Sequence, residues 1–231
     1  MALKVLVVLS SHDFIGSANK PTGWYLPEFA HPYTVLAGKG VSFETASPKG
    51  GIAPPDQRSI QNFQNDAAAS SFYETQSALW EHTAPISSYL GRASEFAALY
   101  YPGGYAPMFD IATDADSIAL INEFVAAGKV VAAVCHGTAA FVNVVLPGGR
   151  HLLHGKQVTA YSNAEEAAVG MTRHMPFLLE DRIREAGATY KKTEEPSKGF
   201  VVVDEGGRLI TGQNPWSSVG VGEAVARAIG V

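Results

Sequence analysis

The chain has 231 residues, 46% of them hydrophobic, with 22 acidic against 17 basic side chains and a net charge of −5. That length and apolar content can bury a full core in one large domain, and no basic patch, charge run or membrane-length apolar segment points to nucleic acid or a bilayer as partner. A single cysteine leaves no internal disulfide framework, which suits a reducing compartment, so the expected location is cytoplasmic.

Residues 4–9 read as a first buried strand, followed by a loop rich in turn formers up to Gly23. A helix is predicted from about Pro27, with Phe29, Tyr33, Leu36 and Ala37 at helical spacing, and Gly38 and Gly40 end it before a strand at 41–46. Residues 48–94 contain Pro54-Pro55, scattered aromatics and two short helical stretches, and read as an elaboration over one edge of the sheet. A strand at 97–101 runs into the tight turn Pro102-Gly103-Gly104, and a helix at 118–127 stops at Gly128. Residues 130–134 contain no polar side chain, as expected of a parallel strand covered on both faces. Then follow a strand at 158–161, a helix at 178–186 closed by Gly187, strands at 200–203 and 209–211, and a last helix over 217–229. Such alternation predicts an α/β fold, a doubly wound, mostly parallel sheet with helices on both faces. No repeat or linker divides residues 1–231, which are expected to form a single domain.

Ligands of such a sheet collect at the carboxyl ends of its strands. Three turns are predicted there: the loop after the first strand, Pro102-Gly103-Gly104, and Cys135-His136-Gly137. In "GKVVAAVCHGTAAF", residues 128–141, an apolar strand reaches the only cysteine and passes into a small-residue stretch that reads as a helix. A nucleophile on a strand-to-helix turn is exposed at the top of the sheet, and the small neighbours Ala133 and Gly137 leave room for the sharp backbone. The amides and dipole of the following helix favour a thiolate. The backbone N–H of His136, with that of Gly104, is expected to form an oxyanion hole. A buried core cysteine is the competing expectation; the His-Gly continuation and the Pro-Gly-Gly turn favour the nucleophile.

The segments "TGWYLPEFAHPY", "ASPKGG", "YYPGG", "AAVCHG", "NAEEAAVG" and "TGQNPWSS", in this order along the chain, resemble the ThiJ/PfpI superfamily, the flavodoxin-like branch of the class I glutamine amidotransferases. Within it they are most similar to the glutathione-independent glyoxalase III and stress-chaperone subgroup. The resemblance implies Cys135 as nucleophile with His136 beside it, Glu28 against the sulfur, and a third acidic residue orienting the histidine. That residue aligns with Glu166, with Glu165 as the close competitor. The implied reaction is conversion of methylglyoxal or a similar 2-oxoaldehyde to a 2-hydroxyacid, of the D-lactate dehydratase type, through a cysteine hemithioacetal. The implied alternatives are a stress-response holding chaperone or redox sensor, and a protein deglycase using the same cysteine on glycated or unfolded proteins. Relatives are commonly homodimers.

The chemistry needs each group separately. A thiolate adds to the aldehyde, amides stabilise the alkoxide, an acid-base group moves a proton between neighbouring carbons, and no metal, nicotinamide or glutathione is required. A carboxyl group packed on a thiolate is expected to be protonated, so Glu28 should donate to the sulfur. Trp24, Tyr25 and Trp216 are candidates to line the pocket, with core packing the alternative for the first two. Asn214 and Ser217 are expected to cap the last helix. His12, His31 and His82 lack ligand spacing for a metal. His151, His154 and His174 rank below His136 as base.

Overall fold

A computed structural model describes residues 3–195 and 197–231. Its strands are β1 (Lys4–Val8), β2 (Phe14–Ile15), β3 (Lys20–Pro21), β4 (Ser42–Ser47), β5 (Ala84–Pro85), β6 (Ala98–Tyr101), β7 (Val130–Val134), β8 (Gln157–Val158), β9 (Thr189–Tyr190), β10 (Val201–Asp204) and β11 (Leu209–Gly212). Its α-helices are α1 (Leu26–Ala37), α2 (Gln57–Asn62), α3 (Ala67–Thr75), α4 (Ala78–Glu81), α5 (Ala115–Ala126), α6 (Asn163–Ala168), α7 (Leu179–Glu185) and α8 (Ser218–Ile229).

Seven strands form one sheet in the order β10-β11-β7-β6-β1-β4-β5. Every pairing is parallel except β10 on β11. Alternate side chains of the central strands enter two separate cores, because successive residues of a strand face opposite ways. Leu6 and Val8 of β1, Leu99 and Tyr101 of β6, and Val131 and Ala133 of β7 belong to one core, which contains Leu120, Ile121 and Phe124 of α5. Val5 and Val7, Ala98 and Tyr100, and Val130 and Ala132 belong to the other, with Phe29 of α1 and Val225 of α8. The continuous apolar run at 130–134 therefore reflects burial on both faces.

The chain leaves β1 for β4 on one side and then enters β6 on the other. That reversal opens a crevice beyond the carboxyl ends of the middle strands. The elaboration at 48–94 contains α2, α3, α4 and the edge strand β5; it packs Ala69 and Phe72 of α3 against α1, and Trp80 of α4 against Trp24 and Phe72.

Two expectations differ from the structure. The strand expected at 158–161 shortens to β8, which pairs with β9 outside the main sheet. Ala160 instead offers its carbonyl to the Tyr190 hydroxyl at 2.6 Å, and Ser162 caps α6. The small-residue stretch after β7 is a 3-10 helix over Cys135–Phe141, every residue of it buried. A tighter helix keeps the backbone close to the strands it leaves: a Cβ on Gly137 would stand 2.3 Å from the Tyr101 carbonyl oxygen.

Candidate active site

Cys135 is the first residue after β7, and its backbone turns sharply, with φ +58°. A left-handed conformation at a non-glycine residue is strained, and it swings the side chain out of the strand direction at the top of the sheet. Its sulfur meets two groups. Nδ1 of His136 lies 3.4 Å from Sγ, and Nε2 of the same ring lies 2.7 Å from Oε2 of Glu166. The His136 backbone N–H is also directed at the sulfur. His136 and Glu166 are both buried, so this contact is shielded from water.

Glu28 reaches the sulfur from the first turn of α1. The loop before that helix is tied down on two sides: the Tyr25 N–H donates to the Gly103 carbonyl at 3.0 Å, and the Leu26 N–H donates to Ser59 Oγ at 3.0 Å. Pro32, inside α1, has no N–H for the carbonyl four residues back, which is that of Glu28. The Tyr100 hydroxyl on β6 donates to this carbonyl instead, fastening the first turn of α1 to the sheet. The Glu28 side chain is fully buried, and the Gly103 N–H donates to its Oε2 at 2.7 Å. Burial pushes its carboxyl up to about 8, against lowering by hydrogen bonds to Cys135 and Gly103. Burial also pushes the Cys135 thiol up, and a charged Glu28 would push it further. Two negative charges in one dry site are therefore disfavoured, and the pair retains a proton that the carboxyl carries when the sulfur is ionised.

Gly104 completes the floor at φ +91°, where a side chain is disfavoured; a Cβ there would also stand 2.4 Å from the Gly23 carbonyl oxygen. Above these groups opens a cleft of about 210 Å³, lined by Glu28, Gly104, Cys135 and His136 together with Tyr25, Tyr105, Tyr161 and Trp216. Asp56, Arg58 and Asn62 form another wall. No motif in the sequence marks these three, which lie in the elaboration, or Tyr105 and Tyr161. The one local signal was Asp56, whose carboxylate caps α2 by accepting from the Arg58 and Ser59 N–H groups.

Tyr25 and Trp216 line the cleft, whereas Trp24 does not. Its indole packs between Phe29 and Trp80, with the ring N–H donating to the Ala53 carbonyl at 2.9 Å. Strand-like alternation at this loop explains the difference: neighbouring side chains point opposite ways, one to the core and one to the cleft. Of the two adjacent glutamates, only Glu166 meets His136. Glu165 faces away, accepts from Ser162 Oγ at 2.6 Å and from Gln213 and Asn214 side chains at 3.0 and 2.8 Å, and so ties α6 to the loop after β11. In that loop the Asn214 N–H donates to Ser217 Oγ at 3.2 Å in a capping box on the single 3-10 turn Pro215–Ser217, so the pair caps that turn and not α8 itself, where Ser217 makes no side-chain cap.

The other histidines lie elsewhere. His31 pairs with Asp66 at 3.1 Å, His151 meets the Val142 carbonyl at 3.0 Å, and His12 stacks on Phe109. His82, His154 and His174 do not line the cleft either. Among the described residues no group of three His, Cys, Asp or Glu side chains is arranged to hold a metal ion.

Residues 23–228 match the model of the DJ-1/PfpI family. The chain belongs to the DJ-1/PfpI family. It is 30% identical to Glyoxalase 3 of Candida albicans over 98% of both chains, and 28% identical to the glutathione-independent glyoxalase HSP31 of Saccharomyces cerevisiae over 93% of both. The crystal structure of glyoxalase III from Candida albicans superposes with a TM-score of 0.88 at 28% identity, covering 98% of this chain and 97% of the other.

Proposed function

We propose that the chain is a glutathione-independent glyoxalase that converts methylglyoxal or a similar small 2-oxoaldehyde to a 2-hydroxyacid. The observation that carries this reading is the continuous series Glu28, Cys135, His136, Glu166, buried except where it faces a cleft of small-molecule size. The relatives named as glutathione-independent glyoxalases support the same reaction class.

Cys135 attacks the aldehyde carbon, and its proton ends on the new hydroxyl by way of Glu28. The Glu166 carboxylate accepts from Nε2–H of His136, which leaves Nδ1 unprotonated on the side of the sulfur. Nδ1 then moves a proton from the aldehyde carbon to its neighbour, and water hydrolyses the resulting thioester. Gly104 and the His136 N–H supply the donors for the oxyanion. The chain acts as one domain in the cytoplasm, as a homodimer, expectations that rest on the family resemblance and on a single free thiol.

The test is lactate formation from methylglyoxal without glutathione, comparing the wild type with Cys135→Ala. Turnover by the wild type alone is expected; lactate from neither protein, or from both, overturns the reading. A second reading, removal of glycation adducts by the same thiol, is supported by the 24% identity to the protein/nucleic acid deglycase HchA of Escherichia coli O157:H7. It predicts faster turnover of a glycated peptide than of free methylglyoxal.

A further inference from the structure

Buried tyrosines in this chain have partners for their hydroxyls. Tyr100 donates to the Glu28 carbonyl, Tyr101 pairs with Ser117 Oγ at 2.9 Å, and Tyr190 donates to the Ala160 carbonyl at 2.6 Å. This is the usual condition of a phenol taken out of water. Tyr105 and Tyr161 differ in position: their hydroxyls are not sealed in the interior and remain free to meet a ligand. Both are partly buried and line the cleft, and neither hydroxyl has a hydrogen-bond partner among the described residues. Their rings stand 4.9 and 4.5 Å from the ring of His136, the group that faces the sulfur. Burial, followed by the neighbouring Glu166 and Cys135 for Tyr105 and by Cys135 for Tyr161, pushes both phenols up, so both remain neutral donors.

We propose that Tyr105 and Tyr161 present their hydroxyls to the second carbonyl oxygen of a 1,2-dicarbonyl substrate, and that this makes the cleft selective for 2-oxoaldehydes over simple aldehydes. The proposal rests on the glyoxalase reading and adds two catalytic residues to it. Addition forms the bond between Sγ and the aldehyde carbon, C1, and leaves a hydroxyl on that carbon. His136 Nδ1 then takes the proton from C1. The electron pair released forms a double bond to C2, and the carbonyl pair of C2 moves onto its oxygen. Negative charge thus develops on the second oxygen, away from Gly104 and the elbow amide. Two phenol donors at that point stabilise the enediolate more than the ground-state ketone, which lowers the barrier. The C1 hydroxyl proton passes to the second oxygen, C1=O re-forms, and His136 returns its proton to C2. The product is the thioester of a 2-hydroxyacid, with no oxidant or reductant consumed. A simple aldehyde has no oxygen to receive that charge and stops at the hemithioacetal.

Tyr105→Phe, Tyr161→Phe and the double variant keep both rings against His136 and remove only the hydroxyls. Each single variant is expected to lose roughly tenfold in kcat for methylglyoxal, and the double variant about 100-fold or more, the scale of losing donors to a developing oxyanion. Alkylation of Cys135 by iodoacetamide should keep its wild-type rate and pH profile, because the thiol is untouched. The kinetic isotope effect with C1-deuterated methylglyoxal should rise as proton transfer becomes the slower step. Wild-type Cys135 should be protected from alkylation at lower concentrations of methylglyoxal than of propionaldehyde, and this preference should shrink in the double variant. Wild-type kcat in the double variant overturns the proposal. So does a loss of kcat matched by an equal loss of alkylation, which would make the phenols supports of the cysteine. Absence of lactate from the wild type is a different result and refutes the glyoxalase reading itself.

Discussion

At Cys135 the left-handed backbone, φ +58°, costs roughly 1–3 kcal/mol for a side-chain-bearing residue. The strain is held by the parallel strand before it and the buried 3-10 helix after it. Alanine tolerates the same backbone, so Cys135→Ala should fold and melt nearly as the wild type while producing no lactate. Cys135→Ser should be almost as inactive, since a hydroxyl is far less ionised than a thiol. Substantial lactate from either variant would rule out thiol chemistry. The two adjacent glutamates separate function from scaffold. Glu166→Gln replaces the acceptor 2.7 Å from His136 Nε2 and should lower kcat by roughly 10- to 100-fold with little change in melting temperature. Glu165→Gln should do the reverse, costing about 1 kcal/mol of stability through Ser162, Gln213 and Asn214 while sparing turnover. Kinetics and thermal melts of the pair check this; an opposite ranking would reassign the two residues.

Among the elements, α1 matters most, because it brings Glu28 to the sulfur. Its interior proline leaves the Glu28 carbonyl without a helical donor, and the Tyr100 hydroxyl supplies one from β6. Tyr100→Phe would leave that buried carbonyl unsatisfied, at a cost of about 1–3 kcal/mol. The first turn of α1 should then shift, and with it the carboxyl that touches Cys135. The expected result is a lower melting temperature together with an altered pH profile for Cys135 alkylation. An unchanged profile would mean that Tyr100 serves packing alone. In the elaboration, the start of α2 places Arg58 and its N-cap Asp56 at the cleft, with the Asp56 carboxylate accepting from the Arg58 and Ser59 N–H groups. Its role was hidden in the sequence because the residues are far along the chain from the elbow and carry no motif.

For the molecule as a whole, Glu28 couples the site to stability. Its carboxyl is raised by burial from 4.5 to about 8, so the folded chain retains a proton that the unfolded chain releases. The corresponding stability is present below pH ~4.5 and is lost as pH rises towards and through about 8. Relative to Glu28→Gln, which cannot titrate, the wild type should lose melting temperature steadily between about pH 5 and 9. Parallel melting curves across that range would show that Glu28 does not carry a raised carboxyl.

The sheet was legible in the sequence because burial on both faces leaves an unbroken apolar run at 130–134, and because Gly38, Gly128 and Gly187 mark where helices end. The elbow was legible because a nucleophile, a turn and small neighbours are adjacent in the chain. Residues 158–161 were misread for the same local reason: apolar character alone does not reveal that Ala160 accepts a side-chain hydrogen bond instead of extending a strand. The sequence by itself thus determined the class of fold and the place of Cys135 and His136. Only the tertiary structure decided that Trp24 enters the core while Tyr25 faces the cleft, that Glu166 and not Glu165 meets the histidine, and that two free phenols flank it. Those choices depend on which way a side chain points after distant segments have packed, and a proton or hydrogen bond responds to the distances so set, not to separation along the chain.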